Sequence, residues 1–196
     1  SSDLDNPDMI DVSAGGVDNV SAGAGNDSIM LANARLPTGT SWTAPTTFTG
    51  AGGTWNGGDG TDVITIGGAV TSLATLTSIE GINLSQAFIS TPNVFSYDPA
   101  VLTLDAARIA MLPNNAFFSG TGTVIFEPGA ATSLDTSTYV ITDGASVSFE
   151  IAAGNGNGLT FTGNSGDDRI TLGIGIQNAF GGNGADVIIF GSGVQT

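Results

Sequence analysis

The chain has 196 residues, and its 18 acidic residues outnumber 3 basic ones to give a formal net charge of −15. Nucleic acid and anionic membrane surfaces are therefore excluded as partners, because so few basic residues cannot form a cationic patch. Cysteine and histidine are both absent, which excludes disulfides, the ordinary zinc, copper and haem sites, and Ser-His-Asp catalysis.

A nine-residue repeat, G-G-x-G-x-D-x-U-x with U a large apolar residue, organises the first part of the chain. Residues 57–65 fit it at every position, and residues 22–30 fit it with Ala in the first place. The glycines allow a tight turn in which carbonyls converge, the Asp adds carboxylate oxygens, and x-U-x forms a short strand with its apolar residue inward. Two repeats complete one coil, so residues two repeats apart stack on the same edge.

Acidic residues recur at the Asp position of this repeat. Asp27 and Asp62 occupy it directly, and Glu80 lies 18 residues after Asp62. Asp8 lies 19 residues before Asp27, so its pairing needs a one-residue bulge or uses Asn26 instead. Because so many carboxylates repel one another in a compact chain, a hard divalent cation such as Ca²⁺ is the expected counter-ion. Glu80 either closes a column of such sites or is a solvated carboxylate that falls in register by chance.

The repeat loosens in the middle of the chain. Residues 31–55, rich in Thr, Gly and Pro, are predicted to form an inserted loop in which two tryptophans serve as packing anchors. The region 83–149 carries short apolar runs and is predicted to be an irregular β-solenoid without binding turns. Residues 103–112 form the one plausible helix, which Thr103 caps and Pro113 ends.

The repeat returns near the end of the sequence. Residues 181–189 fit it completely, and residues 163–171 fit it with Asn replacing one Gly. The Asp positions of these two copies, Asp168 and Asp186, are 18 residues apart and are predicted to stack on one edge. Glu150 lies 18 residues before Asp168, and it either closes this second column or is a solvated carboxylate in register by chance.

The Asp position of the opposite edge is filled by Leu159 and Gln177 in this region, so that edge is expected to bind cations poorly.

Together these patterns predict an all-β fold, a parallel β-roll or β-solenoid with calcium-binding turns and one short helix. Three regions follow, joined in one continuous solenoid: an N-terminal β-roll 1–82 that contains the inserted loop, the irregular middle 83–149, and a C-terminal β-roll 150–196.

The two complete nonapeptides, with the segments Trp55–Ile64 and Leu76–Leu84, make the chain resemble the RTX family of type I-secreted bacterial proteins. The likeness extends to RTX-containing surface-layer proteins of Gram-negative bacteria. It implies a parallel β-roll in which Ca²⁺ is held between successive turns by Asp carboxylates and backbone carbonyls. The implied carboxylate ligands are Asp27, Asp62, Asp168 and Asp186, and the implied carbonyl ligands are Gly57, Asp59, Gly163, Ser165, Gly181 and Asn183. Asp18 also matches the Asp position, although the residues before it depart from the turn pattern.

The resemblance implies a calcium-dependent structural segment of a secreted cell-surface protein, such as a surface layer, in which Ca²⁺ drives folding and assembly. Self-association into a lattice or filament is expected, with a cell-surface polysaccharide as a possible further partner. No enzymatic activity is expected, because Glu127 and Glu150, the candidate carboxylates for glycoside cleavage, have no supporting motif.

Two other functions stay open. The chain is alternatively a calcium-binding accessory domain of a type I-secreted enzyme or adhesin. It is also considered as an ice- or carbohydrate-binding module, against which the lack of a regular T-x-T array counts.

No apolar run reaches the roughly 20 residues that span a bilayer, so membrane insertion is not expected. Neither 1–7 nor 191–196 resembles a secretion signal, so the sequence is expected to be an internal segment.

Overall fold

The computed structural model describes residues 6–12, 16–31, 47–48, 51–71, 73–85, 87–91, 94–98, 100–142, 145–151, 159–164, 167–172 and 177–190. The strands of the first half are β1 (Met9–Asp11), β2 (Gly16–Val17), β3 (Val20–Ala24), β4 (Ser28–Leu31), β5 (Thr47–Phe48), β6 (Ala51–Gly52), β7 (Thr54–Asp59), β8 (Val63–Gly67), β9 (Ala69–Val70), β10 (Thr75–Thr77) and β11 (Gly81–Ser85). The strands of the second half are β12 (Ala87–Thr91), β13 (Val94–Asp98), β14 (Ala100–Asp105), β15 (Phe117–Glu127), β16 (Ser133–Asp135), β17 (Val140–Ile141), β18 (Ser146–Ile151), β19 (Leu159–Thr162), β20 (Arg169–Thr171), β21 (Gln177–Phe180) and β22 (Val187–Ile189). Helix α1 (Ala106–Ile109) lies between β14 and β15.

These strands form an all-β fold in which pairing is parallel almost throughout. The largest sheet follows the order β1-β4-β8-β11-β15-β14-β9-β5, and β17 and β18 also pair with β15. Smaller sheets follow the orders β10-β7-β3 and β16-β19-β21, with the pairs β2–β6 and β20–β22. Among the described strands, β12 and β13 are the single antiparallel pair. The predicted all-β, parallel architecture is therefore confirmed.

Apolar residues at matching positions of successive strands build the core. Ile29, Ile64, Ile82 and Phe118 align through the registers of β4, β8, β11 and β15, and all four are fully buried. Neighbouring residues along each strand point to the opposite face, as the two-residue period of a strand requires. In β8, for example, Thr65 is only half-buried beside Ile64. In β4 and β8 the x-U-x part of the repeat thus supplies the inward side chains, Ile29 and Ile64.

An aromatic cluster fills the core behind β15. Phe149 of β18 lies 5.3 Å from Phe118 and 5.4 Å from Phe126, measured between ring centroids, in edge-to-face geometry. Tyr139 packs 5.5 Å from Phe118. Such aromatic pairs contribute about 0.5–1.5 kcal/mol each beyond the area they bury. The middle of the chain is therefore held together by apolar packing.

The helix predicted over 103–112 begins later and is shorter than expected. Residues up to Asp105 belong to β14, because Leu104 is buried and this strand pairs with β15. The N-cap is Asp105 rather than Thr103, and its side chain accepts a hydrogen bond from the N–H of Arg108 at 2.9 Å. In the described part of the chain, no helix is long and apolar enough to cross a bilayer.

The loop predicted over 31–55 is wrong at its C-terminal end, where β5 and β6 form and β7 begins. β5 pairs with β9, β6 with β2, and β7 with β3. The last part of the predicted loop therefore already belongs to the sheets. Trp55 is 1% exposed, which confirms it as a packing anchor. Residues 32–46 and 49–50, with Trp42 among them, lie outside the described residues.

Candidate metal centre

Four acidic residues lie in one column across the main sheet. Asp8, Asp27, Asp62 and Glu80 each immediately precede a strand, namely β1, β4, β8 and β11. The registers of these strands place the four residues opposite one another, and we call them the N-terminal column. Asp8 aligns directly with Asp27 despite their 19-residue separation, so the alternative partner Asn26 is wrong. The predicted alignment of Glu80 with Asp62 is confirmed.

Hydrogen bonds run down the N-terminal column in one direction. The backbone N–H of Asp8 donates to Oδ1 of Asp27 at 2.7 Å, and that of Asp27 donates to Oδ1 of Asp62 at 2.8 Å. The N–H of Asp62 donates to Oε2 of Glu80 at 2.8 Å. Each of these carboxylates therefore uses one oxygen to bind the turn before its own, and the column ties successive turns together.

Asp168 and Asp186 repeat this arrangement near the other end of the described chain, and we call them the C-terminal pair. Arg169 aligns with Val187, and the N–H of Asp168 donates to Oδ1 of Asp186 at 3.0 Å. Oδ2 of Asp168 accepts a hydrogen bond from the N–H of Asn164 at 2.8 Å. The predicted stacking of Asp168 on Asp186 is confirmed.

Glycine conformation brings the turns of the N-terminal column into backbone contact. Gly58 has a φ of +104° and Gly60 a φ of +137°, a region that residues with a Cβ rarely adopt. A Cβ at Gly58 would lie 1.7 Å from the carbonyl oxygen of Gly23, and a Cβ at Gly60 would lie 1.7 Å from that of Gly25. Carbonyl oxygens of one turn therefore face the glycines of the next turn.

The first glycine of the repeat leaves room for the carboxylate of its own turn. A Cβ at Gly57 would lie 2.4 Å from Oδ2 of Asp62 and 2.2 Å from the carbonyl oxygen of Ser78. Gly163 has the same two kinds of neighbour, its own Asp carboxylate at 2.4 Å and a carbonyl oxygen of the next turn at 2.2 Å. Carboxylate oxygens of one turn and carbonyl oxygens of the next therefore converge on the same space.

Three of the carboxylates are buried with one oxygen lacking a hydrogen bond. Asp27, Asp62 and Asp168 are 2%, 0% and 2% exposed. Within the described residues, Oδ2 of Asp27, Oδ2 of Asp62 and Oδ1 of Asp168 have no hydrogen-bond partner. Burying an ionised carboxylate in this way costs several kcal/mol unless a cation or a proton compensates its charge.

Burial shifts the titration of two of these groups. It raises the pKa of Asp62 above its ordinary value; a backbone hydrogen bond from Asp27 opposes the shift, and the charges of Asp27 and Glu80 add to it. Burial also raises the pKa of Asp168 to about 6. The hydrogen bond from the backbone of Asn164 lowers this pKa, and the charge of Asp186 raises it further. Both carboxyls lie where a negative charge is disfavoured, so a bound cation would be stabilised there.

Glu80 reaches its position through a different turn. The strand registers on either side make the turn before Glu80 shorter than the turn before Asp62. Ser78 in this shorter turn has a φ of +51°, the one described non-glycine residue with a positive value. The extra methylene of Glu lets the carboxylate reach the N–H of Asp62 from the shorter turn.

The structure places three other predicted residues outside the N-terminal column and the C-terminal pair. Asp18 lies two residues before β3, a strand of the β10-β7-β3 sheet, and so does not join the N-terminal column. Asp59, the last residue of β7, and Asn183 are both exposed. The carbonyl oxygen of Asp59 accepts a hydrogen bond from the N–H of Gly25 at 2.9 Å. Ser165 lies outside the described residues.

Glu150 does not take the position predicted for it. It lies inside β18, aligned with a residue of β15, between the buried Phe149 and Ile151. The alternation of that strand decides its placement, because inward apolar side chains fix which residues face outward. The prediction that Glu150 closes a column through Asp168 is therefore wrong.

Two further links between turns were not predicted from the sequence. Oδ1 of Asn26 accepts a hydrogen bond from the N–H of Thr61 at 2.9 Å. Oδ1 of Asp167 accepts one from the N–H of Ala185 at 2.8 Å. Both acceptors stand immediately before the Asp position of their repeat. An Asn or Asp directly before that Asp is the sequence signal that identifies such a link, since short polar side chains readily bond nearby backbone groups.

The described carboxylates of this centre do not converge into one metal-holding cluster. In the described ranges, no set of three or more His, Cys, Asp or Glu side chains is arranged to hold a metal ion. A cation bound here would therefore take its remaining ligands from turn carbonyls. Leu159 aligns with Gln177 as predicted, so these two positions offer no carboxylate.

Comparison with protein-family models finds no match, and comparisons with curated proteins and with solved structures find no significant match either. The functional proposal therefore depends on the geometry of the N-terminal column and the C-terminal pair, together with the sequence repeat.

Proposed function

We propose that this chain is a calcium-dependent structural segment of a secreted bacterial cell-surface protein, folded as a parallel β-roll of the RTX type. The observation that carries the proposal is the set of buried carboxylate oxygens without hydrogen bonds at Asp27, Asp62 and Asp168. At Gly57 a carbonyl oxygen of the next turn faces the same space as Oδ2 of Asp62, one of these unpartnered oxygens. Oxygens placed in this way need either protons or a hard cation.

A cation suits this setting better than protonation of several separate carboxyls. The net charge of −15 repels itself in the compact state, which favours cation binding. Ca²⁺ takes about 6–8 oxygen ligands in flexible geometry from carboxylates, backbone carbonyls and water. Mg²⁺ demands near-ideal octahedral geometry and keeps its waters, so turns built from carbonyls and paired carboxylates favour Ca²⁺.

The residues that would hold the ion follow from the converging oxygens. In the N-terminal column we assign Asp27 and Asp62, with turn carbonyls that include that of Ser78. In the C-terminal pair we assign Asp168 and Asp186, with turn carbonyls that include that of Gly181. The first glycines of the repeats contribute by having no side chain, since a Cβ there would overlap the Asp carboxylate.

Calcium bound at these turns would act on folding rather than on chemistry. Extracellular calcium modules bind with a Kd of about 10⁻⁴ to 10⁻³ M. At a free calcium concentration of ten times Kd, each independent site adds about 1.4 kcal/mol to the stability of the folded state. Several such sites amount to a large share of the stability of a small domain. The surface location and structural role rest on the resemblance of the repeats at 57–65 and 181–189 to the RTX family.

A calcium titration of the full chain, followed by circular dichroism and calorimetry, tests the proposal. The strand signal and the thermal midpoint are expected to rise with Ca²⁺ and to respond weakly to Mg²⁺. Asp168→Asn should lower the calcium affinity, because it removes a buried ligand charge. The matched control is Asp167→Asn at the exposed neighbouring residue, which keeps an acceptor for the N–H of Ala185. Because it removes only a nearby exposed charge, it should lower the affinity much less than Asp168→Asn does. A strand signal that chelator leaves intact, or equal losses in both variants, contradicts the proposal.

A further inference from the structure

Sulfur chemistry in this chain is confined to three methionines, Met9, Met30 and Met111, because cysteine is absent. A methionine thioether is a flexible apolar group, and oxidation converts it into a polar sulfoxide. Met9 is 70% exposed and Met111 is 36% exposed, so a small oxidant dissolved in water can reach both side chains. The contacts of Met111 decide what its oxidation does to the fold.

The segment that contains Met111 covers one edge of a sheet. β10 is the last strand of the β10-β7-β3 sheet, with β7 on one side. On that side the N–H of Thr75 donates to the carbonyl of Gly53 at 2.9 Å. On the other side the N–H of Leu76 donates to Sδ of Met111 at 3.4 Å. Residues 106–112, which comprise α1 and the turn after it, therefore take the place of a fourth strand.

Polar and apolar contacts hold this segment on β10. Nε of Arg108 donates to the carbonyl of Leu73 at 3.0 Å, and Leu112 is buried in the core. The thioether of Met111 is a weak acceptor, but it occupies the position of a neighbouring strand at the N–H of Leu76. Without that contact, a backbone N–H of β10 is left unpaired at the edge of the sheet, where it is open to water or to another strand.

The length of the contact determines what oxidation does to it. A hydrogen bond from a backbone N–H to a sulfoxide oxygen would by itself take about 2.9 Å between nitrogen and oxygen. The nitrogen of Leu76 lies only 3.4 Å from Sδ of Met111, which leaves no room between them for an oxygen bonded to the sulfur. The oxygen therefore adds on the other side of the sulfur or forces the two elements apart. An oxidised sulfur carries partial positive charge, so it no longer accepts the hydrogen bond.

We propose that Met111 is an oxidation-sensitive contact, and that oxidation of its sulfur by a peroxide releases residues 106–112 from the edge of β10. With hydrogen peroxide, the O–O bond breaks and an S–O bond forms. The sulfur is oxidised to the sulfoxide, and the other peroxide oxygen is reduced and leaves as water. Methionine sulfoxide reductases return the sulfoxide to the thioether, so the release is reversible.

β10 links this contact to the N-terminal column. Ser78 directly follows Thr77, the last residue of β10. The carbonyl oxygen of Ser78 and Oδ2 of Asp62 face the same space beside Gly57. Release of Leu76, two residues before Ser78, loosens the strand that positions this carbonyl. Oxidation should therefore lower the calcium affinity of the N-terminal column, a consequence that rests on the proposed function.

Peroxide treatment of the unmodified chain, of Met111→Leu and of the matched control Met9→Leu tests the proposal. Leu replaces Met at similar volume and is not oxidised. Hydrogen exchange at the amide of Leu76, measured by NMR in millimolar Ca²⁺, reports on the contact itself. Oxidation should make this exchange about two- to tenfold faster in the unmodified chain and in Met9→Leu, as the loss of one hydrogen bond implies. In Met111→Leu the exchange should be fast from the start and should not respond to peroxide.

Mass spectrometry identifies the oxidised methionines, and circular dichroism shows that each protein is folded. Exchange at Leu76 that is unchanged after Met111 is oxidised, or that responds equally in Met111→Leu, overturns the proposal. Resistance of Met111 to a peroxide dose that oxidises Met9 also overturns it.

Calcium titrations before and after oxidation separate this contact from the proposed function. A lower affinity in the unmodified chain and in Met9→Leu, but not in Met111→Leu, supports the link to the N-terminal column. Faster exchange at Leu76 with unchanged affinity overturns that link alone. A chain that does not respond to calcium in any form overturns the proposed function, and the exchange at Leu76 still decides for or against the Met111 contact.

Discussion

The register that aligns the N-terminal column continues into β15 and β17, where the same position is filled by Ala116 and Tyr139. In the column this position holds buried carboxylates with unsatisfied oxygens. In the middle of the chain it is apolar, and the Tyr139 ring packs against Phe118 and Phe149. Stacked parallel strands therefore require no cation by themselves. Under the proposed function, a cation is needed only where the stacked position carries charge.

The largest expected effect concerns the apolar middle of the chain. Phe149→Ala removes the ring at the centre of the aromatic cluster and is expected to cost about 3–5 kcal/mol of unfolding free energy. Because that cluster contains no carboxylate, the loss should be of similar size with and without calcium. Urea denaturation in both conditions measures it. Phe180→Ala, at a residue that is 59% exposed, is the control; a loss at Phe149 that appears only with calcium would contradict the contrast between the two regions.

The backbone contact between acidic turns is tested by two glycines with different surroundings. Gly58→Ala places a methyl group on the carbonyl of Gly23 and is expected to cost about 1–2 kcal/mol for the positive φ and about 1–3 kcal/mol more for overpacking. Gly129 has a φ of +60°, and a Cβ added there would meet nothing within 4 Å, so Gly129→Ala should show the conformational cost alone. Thermal melts in calcium compare the two. Equal destabilisation of both variants would rule out close contact between the turns.

Asp62→Asn separates charge from shape in the N-terminal column. With calcium it should destabilise the chain by about 1–3 kcal/mol, because a charged ligand is lost from a buried site. Without calcium it should be neutral or stabilising, because burial already disfavours the charge and raises the pKa of this carboxyl. Asp59→Asn, at an exposed residue of the same turn, should be silent in both conditions. The same sign of effect with and without calcium would argue against a cation at Asp62.

The smallest expected effect is a pH dependence that calcium reverses. The pKa of Asp168 is raised from 3.8 to about 6, so between these values the folded state binds more protons than the unfolded state. The stability contributed by this group to the calcium-free chain should therefore fall as the pH rises from about 4 to about 6. In calcium the ion competes with the proton, so stability should instead decline below about pH 6. Thermal midpoints in both buffers measure this, and Asp168→Asn should flatten both trends.

Much of the acidic framework was predictable from the sequence because the repeat links local turn chemistry to a fixed stacking interval. The 18-residue interval predicted that Glu80 stacks on Asp62 and that Asp186 stacks on Asp168. The strand registers confirm both predictions. The 18-residue interval gave the wrong position for Glu150. The buried residues that alternate along β18 decide which way this side chain faces. A counted interval therefore fails where the alternation of buried residues along a longer strand fixes which side chains face inward.

The remaining structure depended on tertiary context that local sequence does not encode. The segment after Thr103 has the composition of a helix start, yet its apolar residues are held in β14 by pairing with β15. The alignment of Asp8 with Asp27 across 19 residues reflects the register of whole strands rather than the repeat. The links from Asn26 and Asp167 to neighbouring turns likewise depend on how closely those turns stack.

Hydrogen exchange followed by mass spectrometry, with and without calcium, distinguishes the acidic column from the apolar middle in a single experiment. We predict that chelation strongly raises exchange in β4, β8 and β20, which follow the buried carboxylates. Exchange in β15 and β18, which surround Phe149, should change much less. A uniform change across all of these strands, or no change on chelation, would contradict the division between a calcium-dependent column and a self-sufficient apolar middle.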